Sequence, residues 1–149
     1  MSAELILRCA SSAVLALAGS MKASGQASAK MQPFGYPANF AEVLGIAEVA
    51  MATLNLGGEL GLARVAAGNV WIQRLTSLIM GGALWQHAVA GDGGYAAPLA
   101  MLAVSGAVPA LRGDAASPQE AAGVALALAA AGFAINSFIS HAPKGASKK

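Results

Sequence analysis

The chain has 149 residues, 56% of them hydrophobic and 11% charged, with a net charge of +2 and a mean hydropathy of +0.60. A soluble domain carries about 25% charged residues, so this composition argues against a soluble globular protein and for helices in lipid. Its one cysteine, Cys9, permits neither an internal disulfide nor a cysteine-based metal site, and the scattered basic residues give no footprint for nucleic acid.

A helix needs about 20 mostly apolar residues to cross a bilayer, within a range of about 17 to 25. Five segments approach this. The first is Leu5 to Met21, with Arg8 near its start. Glu4 precedes its apolar part and a basic leader is missing, which favours a span over a signal peptide. Ser12, Ala16 and Ser20 form a small-residue ridge suited to close helix packing. The connection that follows, KASGQASAKMQPFGYPAN, is long, and its aromatic half, Phe34 to Pro37, suits a membrane interface.

The second segment, Phe40 to Leu56, reads FAEVLGIAEVAMATLNL and carries two glutamates. Asn39 stands as an N-cap and Glu42 as its partner three residues on. There Glu42 reaches back to the cap and faces the positive helix end. Glu48 lies six residues deeper, about 9 Å along the axis. A charge at mid-span costs about 2.5–3.5 kcal/mol on insertion scales, so Glu48 requires a partner or a proton.

The third segment, roughly Val65 to Ala90, has Arg74 inside it. If consecutive spans pack antiparallel, Glu48 and Arg74 fall at similar depth, and a planar guanidinium matches a carboxylate. An intramembrane Glu48–Arg74 ion pair is predicted, first as a latch fixing helix register. Asn69, Gln73, Gln86 and Asn136 are expected to bond across helices. His87 is expected as an interfacial polar residue, and Trp71, Trp85 and Tyr95 as interfacial anchors.

The fourth segment is Tyr95 to Leu111, with Pro98 and Pro109 near its ends. The fifth is Pro118 to Ser140. Ser117-Pro118-Gln119-Glu120 reads as a capping box with proline in the first turn, so Ser117 and Glu120 are predicted helix caps. Ala121, Ala125 and Ala129 form a second small-residue ridge. A basic tail occupies residues 141–149, with His141 at its start. Lys22, Lys30, Lys144, Lys148 and Lys149 fall on one side of such a bundle and Arg8, Arg64 and Arg112 on the other, which puts the lysine side inside. The expected fold is an all-α, polytopic membrane helix bundle forming one integral domain.

Three local features resemble the DoxX-like family of small four-helix membrane proteins. The first helix runs into a glycine and lysine, Gly19 to Lys22, followed by FGYP at 34–37. A glutamate lies early in a second span that ends in glycines. A third span closes with ALWQHAVAGD, Ala83 to Asp92, before a short turn and an apolar fourth span. The resemblance covers about residues 5 to 111, leaving the fifth helix as an addition. It implies a membrane-bound component beside quinone-linked electron transfer, with no defined catalytic motif of its own.

The sequence has no P-loop, HExxH, CxxC or dinucleotide fingerprint. The leading expectation is therefore a non-catalytic accessory subunit of a larger, energy-transducing membrane complex. It would bind no cofactor or metal, and its partners would be other membrane subunits and lipids. A bacterial inner membrane or an organellar one, mitochondrial or thylakoid, would house it. A small transporter or channel using Glu48 and Arg74 is the alternative, and a quinone-linked redox subunit the third reading.

Overall fold

The computed structural model describes residues 1–57 and 69–140, excepting the side chains of Ala29, Lys30 and Asn69. Gly58, Arg64, the expected start of the third span at Val65, His141 and the tail 141–149 lie outside the described residues. The described chain is all-helical, with no strand. Five long helices are present: α1 (Ala3–Ala23), α3 (Phe40–Asn55), α4 (Asn69–Ala90), α5 (Ala96–Arg112) and α6 (Pro118–Ile139). A single turn, α2 (Ser28–Met31), runs into a 3-10 turn at Gln32–Phe34 between α1 and α3.

Among the described residues, two helices, α1 and α6, are long and apolar enough to cross a membrane, with mean hydropathies of 1.4 and 1.9. The sequence suggested five spans. α3 and α5 have only 16 and 17 residues, and α4 carries Gln73, Arg74, Gln86 and His87 along its length.

Packing departs from chain order at α3 and α4. α1 lies mainly on α3, and α4 lies mainly on α6, while α3 and α4 barely touch. Glycines decide this. A Cβ on Gly19 of α1 would lie 2.7 Å from the Gly45 carbonyl oxygen of α3 and 3.0 Å from Glu48 Cβ. A Cβ on Gly132 of α6 would run into the Leu78 carbonyl, and one on Gly81 of α4 into the backbone at Ala129. Backbones approach this closely only where a side chain is missing.

The ridges follow the same logic. Ala121, Ala125 and Ala129 are buried as anticipated, with Ala125 and Ala129 packed on Leu102 of α5. On α1 the packed face is Arg8, Ser11, Ser12, Leu15 and Gly19. Ser20 of the anticipated ridge is exposed, because the glycine contact sets the rotation of the helix.

The caps divide. Ser117 has extended backbone angles and its side chain accepts from the Glu120 N–H. Glu120 reaches one residue further back than a capping box requires, accepting from the Ala116 N–H at 2.7 Å. Asn39 caps nothing with its side chain. Its φ of −94° and ψ of 3° differ from the extended conformation that aims a capping oxygen at the first turn. The turn before it already gives the Phe40 N–H to the Pro37 carbonyl. Glu42 remains an acidic first-turn residue, favourable to the helix dipole.

The aromatic segment turns inward. Tyr36 and Trp85 are buried. The Tyr36 ring stacks on Phe40 at 4.3 Å, and Trp85 meets Phe34 and Tyr36 edge-on. Tyr36 and Trp85 are thus core rather than interfacial anchors, with Phe34 packed against them, whereas Gly35, Pro37 and Trp71 are exposed.

Candidate functional site

Weak α3–α4 packing leaves a cavity of about 220 Å³ between α3 on one side and α4 and α6 on the other. Phe40, Leu44 and Glu48 come from α3, Leu78 to Met80, Gly82, Ala83 and Gln86 from α4, and Gly132, Ile135, Asn136 and Ile139 from α6. Lys22 of α1 completes the wall.

Glu48 is paired, but not with Arg74. Lys22 Nζ lies 2.5 Å from Glu48 Oε1. The reason is the glycine crossing. Gly45 sits under the Lys22 Cβ, so the four-carbon lysine stem spans about one turn of α3 and ends on Glu48. The glutamate is 1% exposed, and the lysine side chain keeps one flank at the surface, 23% exposed. Oε2 of Glu48 has no hydrogen-bond partner among the described residues.

Arg74 faces elsewhere. Its guanidinium lies over the Trp71 ring, 4.8 Å from the centroid. It also lines a pocket of about 30 Å³, room for one or two waters, together with Ser77, Asp114 and Glu120. The predicted ion pair assumed that consecutive helices pack together. Here α3 is drawn to α1 and α4 to α6, so the two charges line separate cavities.

Two of the cavity's lining residues, Gln86 and Asn136, belong to a polar cluster reaching from the long connection to α6. The Tyr36 hydroxyl donates to Asn136 Oδ1 at 2.5 Å and accepts from Gln86 Nε2 at 3.3 Å. Burial pushes the Tyr36 hydroxyl pKa up, and the Gln86 hydrogen bond partly offsets this. Asn136 also donates to the Gly132 carbonyl. Gln86 and Asn136 thus bond between helices as the sequence suggested, with Tyr36 as the bridge it did not foresee.

A second network lies at the opposite end of α1 and α3. Arg8, read from sequence as a flanking charge, is buried. Its Nε and Nη2 donate to the Asn55 carbonyl, and Nη1 meets Glu4 at 3.1 Å. The guanidinium therefore caps the last turn of α3, where carbonyls lack helical partners and a cation suits the dipole. The Asn55 amide donates to Ser11 and Ser12, and Gln73 Nε2 donates to Asn55 Oδ1 at 2.8 Å. Arg112 meets Glu4 and Asp114 at this same end. The sequence signal was an arginine on the apolar face of α1, one helical face with Ser12 and Leu15.

His87 is partly exposed at the α4–α5 turn. Its Nδ1–H donates to Asp92 Oδ1 at 2.7 Å, which also accepts the Gly94 N–H at 2.9 Å. The Gly94 N–H and then His87 hold the Asp92 carboxyl below its ordinary range. This fixes a turn. Among the described residues, no three of His, Cys, Asp and Glu gather as a metal-ligand group. No family model, curated protein or solved structure matches the chain, so the resemblance to the DoxX-like family rests on its short motifs alone.

Proposed function

We propose that this chain is a multi-pass membrane protein acting as a non-catalytic component of a larger membrane assembly. The observation that carries this reading is an inverted distribution of polarity. Arg8, Glu48, Asn55, Gln73, Thr76, Ser77 and Ser105 are buried inside the bundle. Leu17, Val43, Ile46, Leu99, Leu126 and Phe138 point outward, with Leu17 68% and Phe138 82% exposed. In water this arrangement would place large apolar side chains in solvent and polar groups in the core, each at a cost. In a bilayer it satisfies both, because polar side chains bond to one another and apolar ones meet lipid or a partner helix.

The polar groups inside fasten one element to another: Arg8 with Asn55, Gln73 with Asn55 and Lys22 with Glu48 between helices, and Tyr36 of the connection with Asn136 of α6. Such fastening supports a packing role and not a reaction. α6 supports a role within an assembly. Apart from the alanine ridge and Gly132 it is largely exposed, offering Leu126, Phe133 and Phe138 along an apolar surface. A conduction path using both Glu48 and Arg74 finds no support, since they line separate cavities.

The test is alkaline carbonate extraction of cell membranes, followed by gentle-detergent solubilisation, native gel separation and mass spectrometry. Retention in the membrane pellet and co-migration with other membrane proteins in a large assembly are the expected results. Release into the supernatant would overturn the membrane reading. Retention with migration as a monomer would overturn the assembly reading.

A further inference from the structure

We propose that the cavity between α3, α4 and α6 is a binding site for a small neutral lipophile bearing a hydroxyl donor, with the donor placed on Glu48 Oε2. Three observations set this chemistry.

The first is the unpartnered oxygen. Glu48 is 1% exposed and borders the cavity, yet only Oε1 is engaged, by Lys22; Oε2 is unpartnered and enclosed, so a turn of the carboxyl group is what brings it to a donor in the cavity. A buried carboxylate oxygen left without a donor is costly, and a ligand O–H satisfies it. The second is charge. The Lys22 ammonium already balances the carboxylate, so the wall is neutral as a pair. A cationic ligand would meet the lysine, and an anionic one the carboxylate. A neutral donor is what remains. The third is size and lining. Leu44, Ile79, Met80 and Ile135 make the cavity mostly apolar. A cavity of about 150 Å³ takes benzene, so about 220 Å³ takes one ring with a short alkyl arm. A phenol and the hydroxyl end of a lipid share this chemistry.

The origin of the site is in the packing. Gly19–Gly45 and Gly81–Ala129 draw α3 and α4 toward different partners and hold them apart. The space between is therefore maintained by backbone contacts and does not depend on a ligand to prop it open. The inference concerns this chain alone and stands whether or not it belongs to an assembly.

The experiment is calorimetric titration of the full chain in dodecyl maltoside with 4-propylphenol, 4-propylanisole and propylbenzene. The phenol is expected to bind about tenfold or more tighter than the other two, the worth of a hydrogen bond to a charged acceptor. Ala83→Leu, which fills the cavity from α4 away from the ion pair, should weaken the phenol about tenfold or more. Ile139→Trp at the cavity rim serves the same purpose should the first variant not fold. Lys22→Met/Glu48→Leu should erase the preference for the phenol. Decanol is then titrated to separate a lipid-like alcohol from a ring compound as the better occupant. Equal binding of the three aromatics would overturn the donor assignment. Phenol binding unchanged in the cavity-filling variant would show partition into the micelle and overturn the site, as would no binding at all.

Discussion

Replacing Lys22 with methionine removes the ammonium 2.5 Å from Glu48 Oε1 and keeps most of the side-chain volume. Glu48 is then a carboxylate at 1% exposure with neither oxygen paired among the described residues. Removing one partner of a buried ion pair costs about 3–5 kcal/mol. The lysine is 23% exposed, so solvent screens part of the interaction and the lower end of that range is expected. Replacing both members, Lys22→Met/Glu48→Leu, removes the stranded charge and should recover most of the loss, because apolar replacement of a buried pair is often neutral. The assay is reversible unfolding in mixed micelles of dodecyl maltoside and SDS. It is followed by the fluorescence of Trp85, which lies buried among Phe34, Tyr36 and Phe40. A loss under about 1 kcal/mol for Lys22→Met, where the structure implies at least about 3 kcal/mol, would refute the account of this pair. So would a double variant no more stable than the single one.

Further outcomes follow from the other contacts. Gly81→Val should cost about 1–3 kcal/mol or more by forcing α4 from α6, since a Cβ there meets the Ala129 backbone. Gly123→Ala on the same α6 helix meets open space and should be neutral or stabilising by up to about 1 kcal/mol; equal effects in that unfolding assay would contradict the glycine-crossing argument. Asn55→Leu strips the donors to Ser11 and Ser12 and the acceptor of Gln73, at a cost of about 1–3 kcal/mol. Arg8 should keep its hold on the residue-55 carbonyl, so Arg8→Met in that background should cost further stability; full redundancy of the two would refute the cap. Asp92 carries the pH prediction. Its folded pKa is depressed, so its contribution is present above the unfolded value and is lost as pH falls through the folded one. Protection of the Gly94 amide against exchange should fade over that acidic window, and Asp92→Ala should abolish it; protection independent of Asp92 would refute the tether.

Much of this molecule is local and therefore readable from sequence. Apolar run lengths mark α1, α3, α5 and α6, and Ser117 before Pro118 starts α6 because a cap depends on neighbouring residues alone. The alanine ridge on α6 and the interhelical roles of Gln73, Gln86 and Asn136 follow from helical spacing and the scarcity of partners in an apolar setting. A buried Glu48 in need of a partner follows too, since a mid-helix carboxylate among apolar residues has few alternatives.

What tertiary structure alone decides is which helix meets which. Sequence order suggests that α3 packs on α4, and from that came the Glu48–Arg74 pair. The backbone approach at Gly19–Gly45 and at Gly81–Ala129 instead joins α1 to α3 and α4 to α6. These are long-range contacts between smooth surfaces, and no local pattern encodes their pairing. They turn Lys22 from a loop-end charge into the partner of Glu48. They turn Arg8 from a flanking charge into the cap of α3, draw Tyr36 and Trp85 into the core, and open the cavity where α3 and α4 fail to close.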